Sequence, residues 1–265
     1  MTFKSPKDTA CSMDTVGCAK MGLGTGRLLT LGFLAGAYIA FGGILAVIVG
    51  GGMPGIAADN PGLQKFVFGA TFPVGLMLVI LAGAELFTGN TATCIPAVLN
   101  GSTRWTALAR NWGLSYVGNF IGSLFVAYVL AYLAGLFLLD PWHANIVAIA
   151  QSKGTQDFLP LFVKAIGCNW LVCLAVWLAA AADDVSGKIL GIWFPIMAFV
   201  AIGFEHSIAN MFFIPAGMLY GANVTWAQFL LGNLVPVTLG NIVGGALFVG
   251  VAYWYIYGAP GRATK

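Results

Sequence analysis

Two glutamates and one histidine stand where charge is least expected. Glu85 lies in Gly83-Ala84-Glu85-Leu86-Phe87-Thr88-Gly89-Asn90, and Glu205 and His206 lie in Gly203-Phe204-Glu205-His206-Ser207-Ile208-Ala209-Asn210, both inside long apolar stretches. They are the chain's only glutamates, and His206 is one of two histidines. An ionisable group at membrane depth costs about 3 kcal/mol, so it marks a path for a polar solute, ion or proton. An imidazole there can exchange hydrogen bonds or carry a proton near neutral pH. A nearby carboxylate can bias that charge, or it can cap the free amides of an interrupted helix; both roles stay open for Glu85 and Glu205. Other chemistry finds no residues. A nucleophile, base and orienting acid cannot be assembled from two histidines. Cys11, Cys18, Cys94, Cys168 and Cys173 follow neither metal nor disulfide spacing and read as apolar filler or free thiols, so no metal or cofactor is expected. The run Gly22-Leu23-Gly24-Thr25-Gly26 lacks the strand and lysine of a phosphate loop and reads as a hinge. His143, after Pro141-Trp142, reads as an interfacial residue.

The elements that must position these groups are membrane helices. Apolar residues make up 59% of 265 positions and charged residues 8%, a composition no water-soluble surface tolerates. The net charge of +3 is scattered and gives no grip on nucleic acid. Spans are expected at 28–50, 66–99, 107–138, 159–182, 187–221 and 226–257. Residues 1–26 read as an N-terminal cytoplasmic segment with a surface helix and no cleavable leader, 27–258 as the transmembrane domain, and 259–265 as a short cytoplasmic tail. With six spans, Lys4, Lys7, Lys20, Arg27, Arg104, Arg110, Lys188, Arg262 and Lys265 share the face of the termini, against Lys65, Lys153 and Lys164 opposite. That bias puts both termini in the cytoplasm and the protein in the cell's plasma or inner membrane.

The second and fifth spans are too long. Some 34 residues of continuous helix would measure roughly 50 Å against a hydrocarbon layer of about 30 Å, so each must break, and the breaks fall at the two polar segments. Gly83, Glu85 and Asn90 recur as Gly203, Glu205 and Asn210, shifted by 120; Asn111, Gly118, Asn119 and Gly122 recur as Asn233, Gly240, Asn241 and Gly244, shifted by 122. Three spans per half make this an inverted repeat, whose matched broken helices point to a translocation site. The Gly118, Asn119, Gly122 set and its partner read as close helix packing.

Ala84-Glu85-Leu86-Phe87-Thr88, Gly203-Phe204-Glu205-His206-Ser207-Ile208-Ala209-Asn210-Met211 and Asn233-Leu234-Val235-Pro236-Val237-Thr238 with Gly240-Asn241 resemble the formate/nitrite transporter family over all six spans, in particular its prokaryotic formate-uptake members. The resemblance implies an aquaporin-like, all-α fold assembled as a homopentamer with one pore per subunit, embedded in lipid. Neither Asn-Pro-Ala signature of a neutral-solute pore is present. The resemblance also implies that His206 is a central pore histidine bonded to Thr88, with Glu205, Lys153 and Asn169 as a supporting set in which the acid lies near the lysine and asparagine. Apolar constrictions would be Phe72, Leu76 and Phe199 on the outer side and Leu86, Phe87 and Val172 on the inner side. Lys153 would draw the anion in, and His206 would give it a hydrogen bond or a proton. The loop of Thr88, Gly89 and Asn90, with the N-terminal helix, would gate the inner mouth, and Ser207 and Asn210 belong to the second break. The expected function is a channel or transporter for small monovalent anions, formate first, with protons as companions. Nitrite or hydrosulfide are the alternatives of the same class. A non-transporting anchor for a formate-metabolising enzyme is the alternative of another.

Overall fold

A computed structural model describes residues 3–258, so the expected tail at 259–265, with Arg262 and Lys265, lies outside the described residues. Helix α1 (Pro6–Met21) starts on Ser5, whose side chain accepts the Asp8 N–H. Six helices are long and apolar enough to cross a membrane. They are α2 (Thr25–Val49), α4 (Pro61–Gly83), α7 (Trp105–Leu133), α9 (Phe158–Ala181), α10 (Val185–Ile202) and α12 (Gln228–Tyr257). Between them lie the short α3 (Pro54–Asp59), the half-helices α5 (Phe87–Thr93) and α11 (Ser207–Leu219), α6 (Ile95–Leu99), and α8 (Trp142–Gly154).

The two long expected spans are broken, each by the same device. Gly83 (φ 87°) and Gly203 (φ 86°) take the left-handed conformation that closes a helix, which a side chain would strain. One residue on, Ala84 N–H donates to Val79 O at 2.9 Å and Phe204 N–H to Phe199 O at 3.0 Å, the 6→1 bond of a Schellman end. Three residues follow outside any helix, Ala84–Leu86 and Phe204–His206, and a new helix begins. The breaks are thus shorter than expected. Thr88, Gly89 and Asn90 form the first turn of α5, not a loop, because Phe87 N–H finds a side-chain acceptor and helix can start there.

The halves pack alike. On α7, a Cβ at Gly118 would stand 2.9 Å from Gly32 Cα of α2, so only paired glycines allow this crossing. Gly240 and Gly244 of α12 press likewise on the Phe162 and Ile166 carbonyls of α9. Every residue of α5 is buried, as is α11 from Ser207 to Gly217, while Leu81, Val117, Ile121, Leu231, Leu239 and Leu247 are exposed on the outer faces of the spans. Helix α1, expected on the membrane surface, packs on the protein along one face. Its buried stripe of Met13, Gly17 and Met21 meets α5 and α6, and a Cβ at Gly17 would come 2.8 Å from Thr93 O. Asp14 fixes it by accepting from Asn100 Nδ2 and Ser102 Oγ, both at 3.0 Å.

A candidate pore between two matched half-helix sites

At the second break, Lys153 Nζ lies 3.0 and 2.9 Å from the two oxygens of Glu205, and Asn210 Nδ2 donates to Glu205 Oε2 at 2.7 Å. Asn210 also donates to Asn233 Oδ1 at 2.8 Å, and Asn233 returns a bond to Lys153 O at 2.9 Å. The first break repeats this arrangement with other residues. Lys20 Nζ contacts Glu85 Oε1 at 2.8 Å, and Asn90 Nδ2 donates to Glu85 Oε2 at 2.7 Å and to Asn111 Oδ1 at 3.0 Å. Asn111 in turn donates to Lys20 O at 3.2 Å. Among the described residues these are the two ion pairs, both carboxylates being nearly buried. Each charge is paired and its remaining oxygen is bonded, the condition for holding an acid out of water.

Neither glutamate caps a backbone amide. That work falls to Asn119 and Asn241, expected to serve packing alone. Asn119 Oδ1 accepts Phe87 N–H at 2.9 Å while its Nδ2 donates to Gly32 O at 2.8 Å and Glu85 O at 2.9 Å. Asn241 accepts Ser207 N–H at 2.9 Å and donates to Ala165 O at 2.9 Å and Glu205 O at 3.0 Å. One amide thus ties each half-helix, its break and the adjoining span. Asn241→Leu, which leaves the Ser207 N–H and the Glu205 carbonyl without partners, is expected to cost about 2–4 kcal/mol. The unfolding midpoint of the purified protein measures this; a loss well under about 1 kcal/mol would mean the break is held by other contacts.

His206 caps α11. Its Nδ1 accepts Ala209 N–H at 3.1 Å, and its Nε2 lies 2.9 Å from Thr88 Oγ1 of the opposite half-helix. With the Nδ1 lone pair so engaged, the neutral ring carries its proton on Nε2 and donates to Thr88. The Thr88 hydroxyl proton is then free for another acceptor. The Thr88 carbonyl is held by Thr91 Oγ1 at 2.6 Å, Asn169 Nδ2 at 3.1 Å and Cys173 Sγ at 3.3 Å. Asn169 also donates to Thr91 Oγ1 and Asn241 O. It therefore serves the Thr88 turn; the asparagine bonded to the acid is Asn210, five residues along the same chain segment, where a side chain can fold back on its own break.

Phe72, Leu76, Leu86, Val172, Phe199 and His206 surround one small chamber, together with Ile39 and Ile196. Its volume of 10 Å³ admits about one water molecule. Beyond Phe72 and Phe199 opens a vestibule of 420 Å³ that contains Lys153 and Glu205, the α8 vestibule. Beyond Leu76 and Leu86 opens another of 510 Å³ with Lys20, Glu85, Gly89 and Asn90, the α1 vestibule. Leu76, expected to share a side with Phe72 and Phe199, borders the α1 vestibule with Leu86 instead, a turn further along α4 than Phe72. Phe87 lines neither cavity nor chamber. It follows Leu86 into the helix, so its ring turns away to stack edge-on against Tyr116 (4.9 Å between centroids) and Trp112 (6.2 Å). Phe199 lies over the His206 ring at 5.9 Å. The second histidine, His143, stands apart on α8 against Tyr220, and all five cysteines are free thiols.

A family model described as "Formate/nitrite transporter" matches residues 7–255. The chain belongs to the formate/nitrite transporter family. Among the family's members, a probable formate transporter of Methanothermobacter thermautotrophicus is 53% identical, over 97% of this chain and 98% of the relative. The formate channel BtFdhC of Bacillus thuringiensis is 44% identical over 97% of each chain, and the nitrite transporter NirC of Escherichia coli is 40% identical over 84% of this chain and 80% of its own. The fold matches a solved FNT family ion channel with a TM-score of 0.82, at 34% identity, over 95% of this chain and 98% of that one. A pentameric formate channel with formate bound gives 0.75 and 35%, covering 88% and 97%. As a formate/nitrite transporter family member the chain is a multi-pass membrane transporter rather than an enzyme. Relatives named as transporters and channels leave the anchor-subunit alternative without support.

Of the polar residues at the two breaks, Lys20, Asn111, Asn233, Asn119 and Asn241 go unmarked as site residues in the sequence, although the last four carry the repeat's own signature. Lys20 is the counterpart of Lys153. Each is the next-to-last residue of a helix, α1 or α8, and stands five positions before the following span.

Proposed function

We propose that this protein is a formate channel of the cytoplasmic membrane, with both termini inside, in which each subunit of a homopentamer carries its own pore. The observation that carries the reading is His206, bonded to Thr88 and facing an apolar chamber between two lysine-bearing vestibules. Formate as substrate is supported by relatives named for it at 53% and 44% identity, and the pentamer by the solved channel of that assembly. The grouping of Lys65, Lys153 and Lys164 at one vestibule, opposite Lys20 and Lys188, supports the cytoplasmic placement of the termini.

Lys153 raises the anion's concentration in the α8 vestibule without holding it, because Glu205 already occupies the ammonium. As the carboxylate moves against Phe72 and Phe199 it loses water, and desolvation raises a carboxylate's affinity for a proton. It takes that proton from vestibule water and passes the constriction as neutral acid, avoiding the many kcal/mol of a bare ion in an apolar ring. On the chamber wall His206 is the polar side chain, and its Nε2–H, shared with Thr88 Oγ1, is the hydrogen bond on offer. The imidazole is a fixed donor, not the proton's source: an imidazolium would turn a second N–H on Nδ1 toward Ala209 N–H. Past Leu76 and Leu86 the acid ionises again beside Lys20. The chamber admits only a water-sized body at rest, so passage needs the Phe199 and Leu76 side chains to swing, motions fast on the scale of transport. Docked α1 supplies Lys20 to this route.

Stopped-flow uptake into proteoliposomes tests substrate choice. Formate is expected to lead nitrite and hydrosulfide, with chloride excluded because the anion of a strong acid has no neutral form to offer. Chloride flux comparable to formate flux would defeat the reading, and nitrite in the lead would move the protein to the NirC-like side of its family.

A further inference from the structure

We propose that the α8 vestibule is also a binding site for aromatic monocarboxylates, which enter from that face, lodge and do not pass. The inference rests on reading this cavity as one mouth of the channel. At 420 Å³ it falls within the size range of small-molecule sites and far exceeds what an anion of three heavy atoms requires. Its apolar wall is aromatic: Phe68, Phe72, Phe199, Phe204 and Phe213 line it. Phe72 stacks on Phe213 with centroids 6.2 Å apart and meets Phe199 edge-on at 6.0 Å, while Phe68 tilts against Phe213 at 6.2 Å. A ring set of this kind offers both faces and edges to one more aromatic ring.

The charge above that floor is not used up. Lys153 is committed to Glu205, whereas half-buried Lys164 meets the neutral Gln156 oxygen at 2.6 Å. Lys65 is exposed and has no side-chain partner among the described residues. A flat ring with one anionic group satisfies the phenylalanines and Lys164 together; a neutral ring or a short aliphatic acid satisfies only one of them. A ring cannot go on through a chamber of 10 Å³.

The site is one-sided. Among the described residues no aromatic side chain lines the α1 vestibule, where Leu31, Val79, Ile80 and Val176 form the wall, and Ala84 stands where the repeat has Phe204. The halves share their polar network residue for residue, so the aromatic wall is a difference confined to one face.

Calorimetric titration of the purified full-length protein tests the site itself. Benzoate is expected to bind at least about tenfold tighter than acetate, benzyl alcohol not to bind, and Phe204→Ala and Lys164→Gln each to weaken benzoate by about three- to tenfold. In oriented proteoliposomes benzenesulfonate, which stays charged and does not cross lipid, should block formate flux from the α8 face and not from the α1 face. Benzoate binding no tighter than acetate, indifference to both substitutions, or equal block from both faces would each overturn the proposal. Absent formate flux with benzoate binding intact and sensitive to both substitutions would defeat the channel reading and leave this site standing.

Discussion

His206→Phe is expected to lower formate flux by roughly 10- to 100-fold, the worth of a hydrogen bond made to a charged or strongly polar group in a dry site. The ring sits 3% exposed between two vestibules, and among the described residues no other side chain bonds Thr88 Oγ1. The same substitution removes the Ala209 N–H acceptor, so it should also destabilise α11 by about 1 kcal/mol. A second variant separates the two losses. Asparagine is among the best helix caps, so His206→Asn should recover stability; its shorter side chain, engaged by the cap, should leave flux low. Flux that recovers with stability would mean the histidine acts only as a cap. Uptake kinetics and unfolding midpoints on the same preparations decide between them.

Lys153→Met should be the most damaging single change to the fold. Glu205, 3% exposed, would keep a buried negative charge with only Asn210 beside it, and breaking such a pair costs about 3–5 kcal/mol. The α8 vestibule would also gain an unpaired carboxylate at its floor, which repels anions despite Lys65 and Lys164. Adding Glu205→Gln to Lys153→Met is expected to restore most of the stability, because a neutral amide can still accept from Asn210. Flux should remain well below that of the unaltered protein. A double variant as unstable as the single one would show that Lys153 matters through its packing on α8 and not through its charge. Lys20→Met provides the matching measurement at the α1 vestibule, where Glu85 is held the same way.

The breaks were legible because they violate membrane economy: the chain's only glutamates, each beside a glycine that ends a helix, lie in spans too long to be continuous. What the sequence left hidden follows from equally plain causes. Asparagine in a membrane helix can pack, cap or bridge, and only geometry distinguishes these, so Asn119 and Asn241 read as packing residues. Phe87 read as a pore residue because phenylalanine serves lumen and core alike, and one step of the chain beyond Leu86 turns it away. Lys20 was concealed by an insertion. Gly32 and Ala165, whose carbonyls take the matching asparagines, are 133 positions apart, as are Lys20 and Lys153, whereas the glutamates are 120 apart. Eight of those 13 positions lie between α2 and α4, where the first half carries α3 within residues 50–60 and the second half turns in three residues, Ala182–Asp184; the rest lengthen the helices of the first half. Counted across that insertion, α1 and α8 are the leading helices of the two halves, and the repeat covers five elements each.

The central claim is that formate crosses the dry chamber without net charge, beside a donor that stays neutral. Simultaneous recording of formate uptake, internal pH and membrane potential in proteoliposomes tests it most directly. The account predicts one proton entering per formate, no potential generated, and uptake that rises as the external pH falls toward mildly acidic values. A formate current that builds a membrane potential with no accompanying proton, at a rate indifferent to pH, would contradict it.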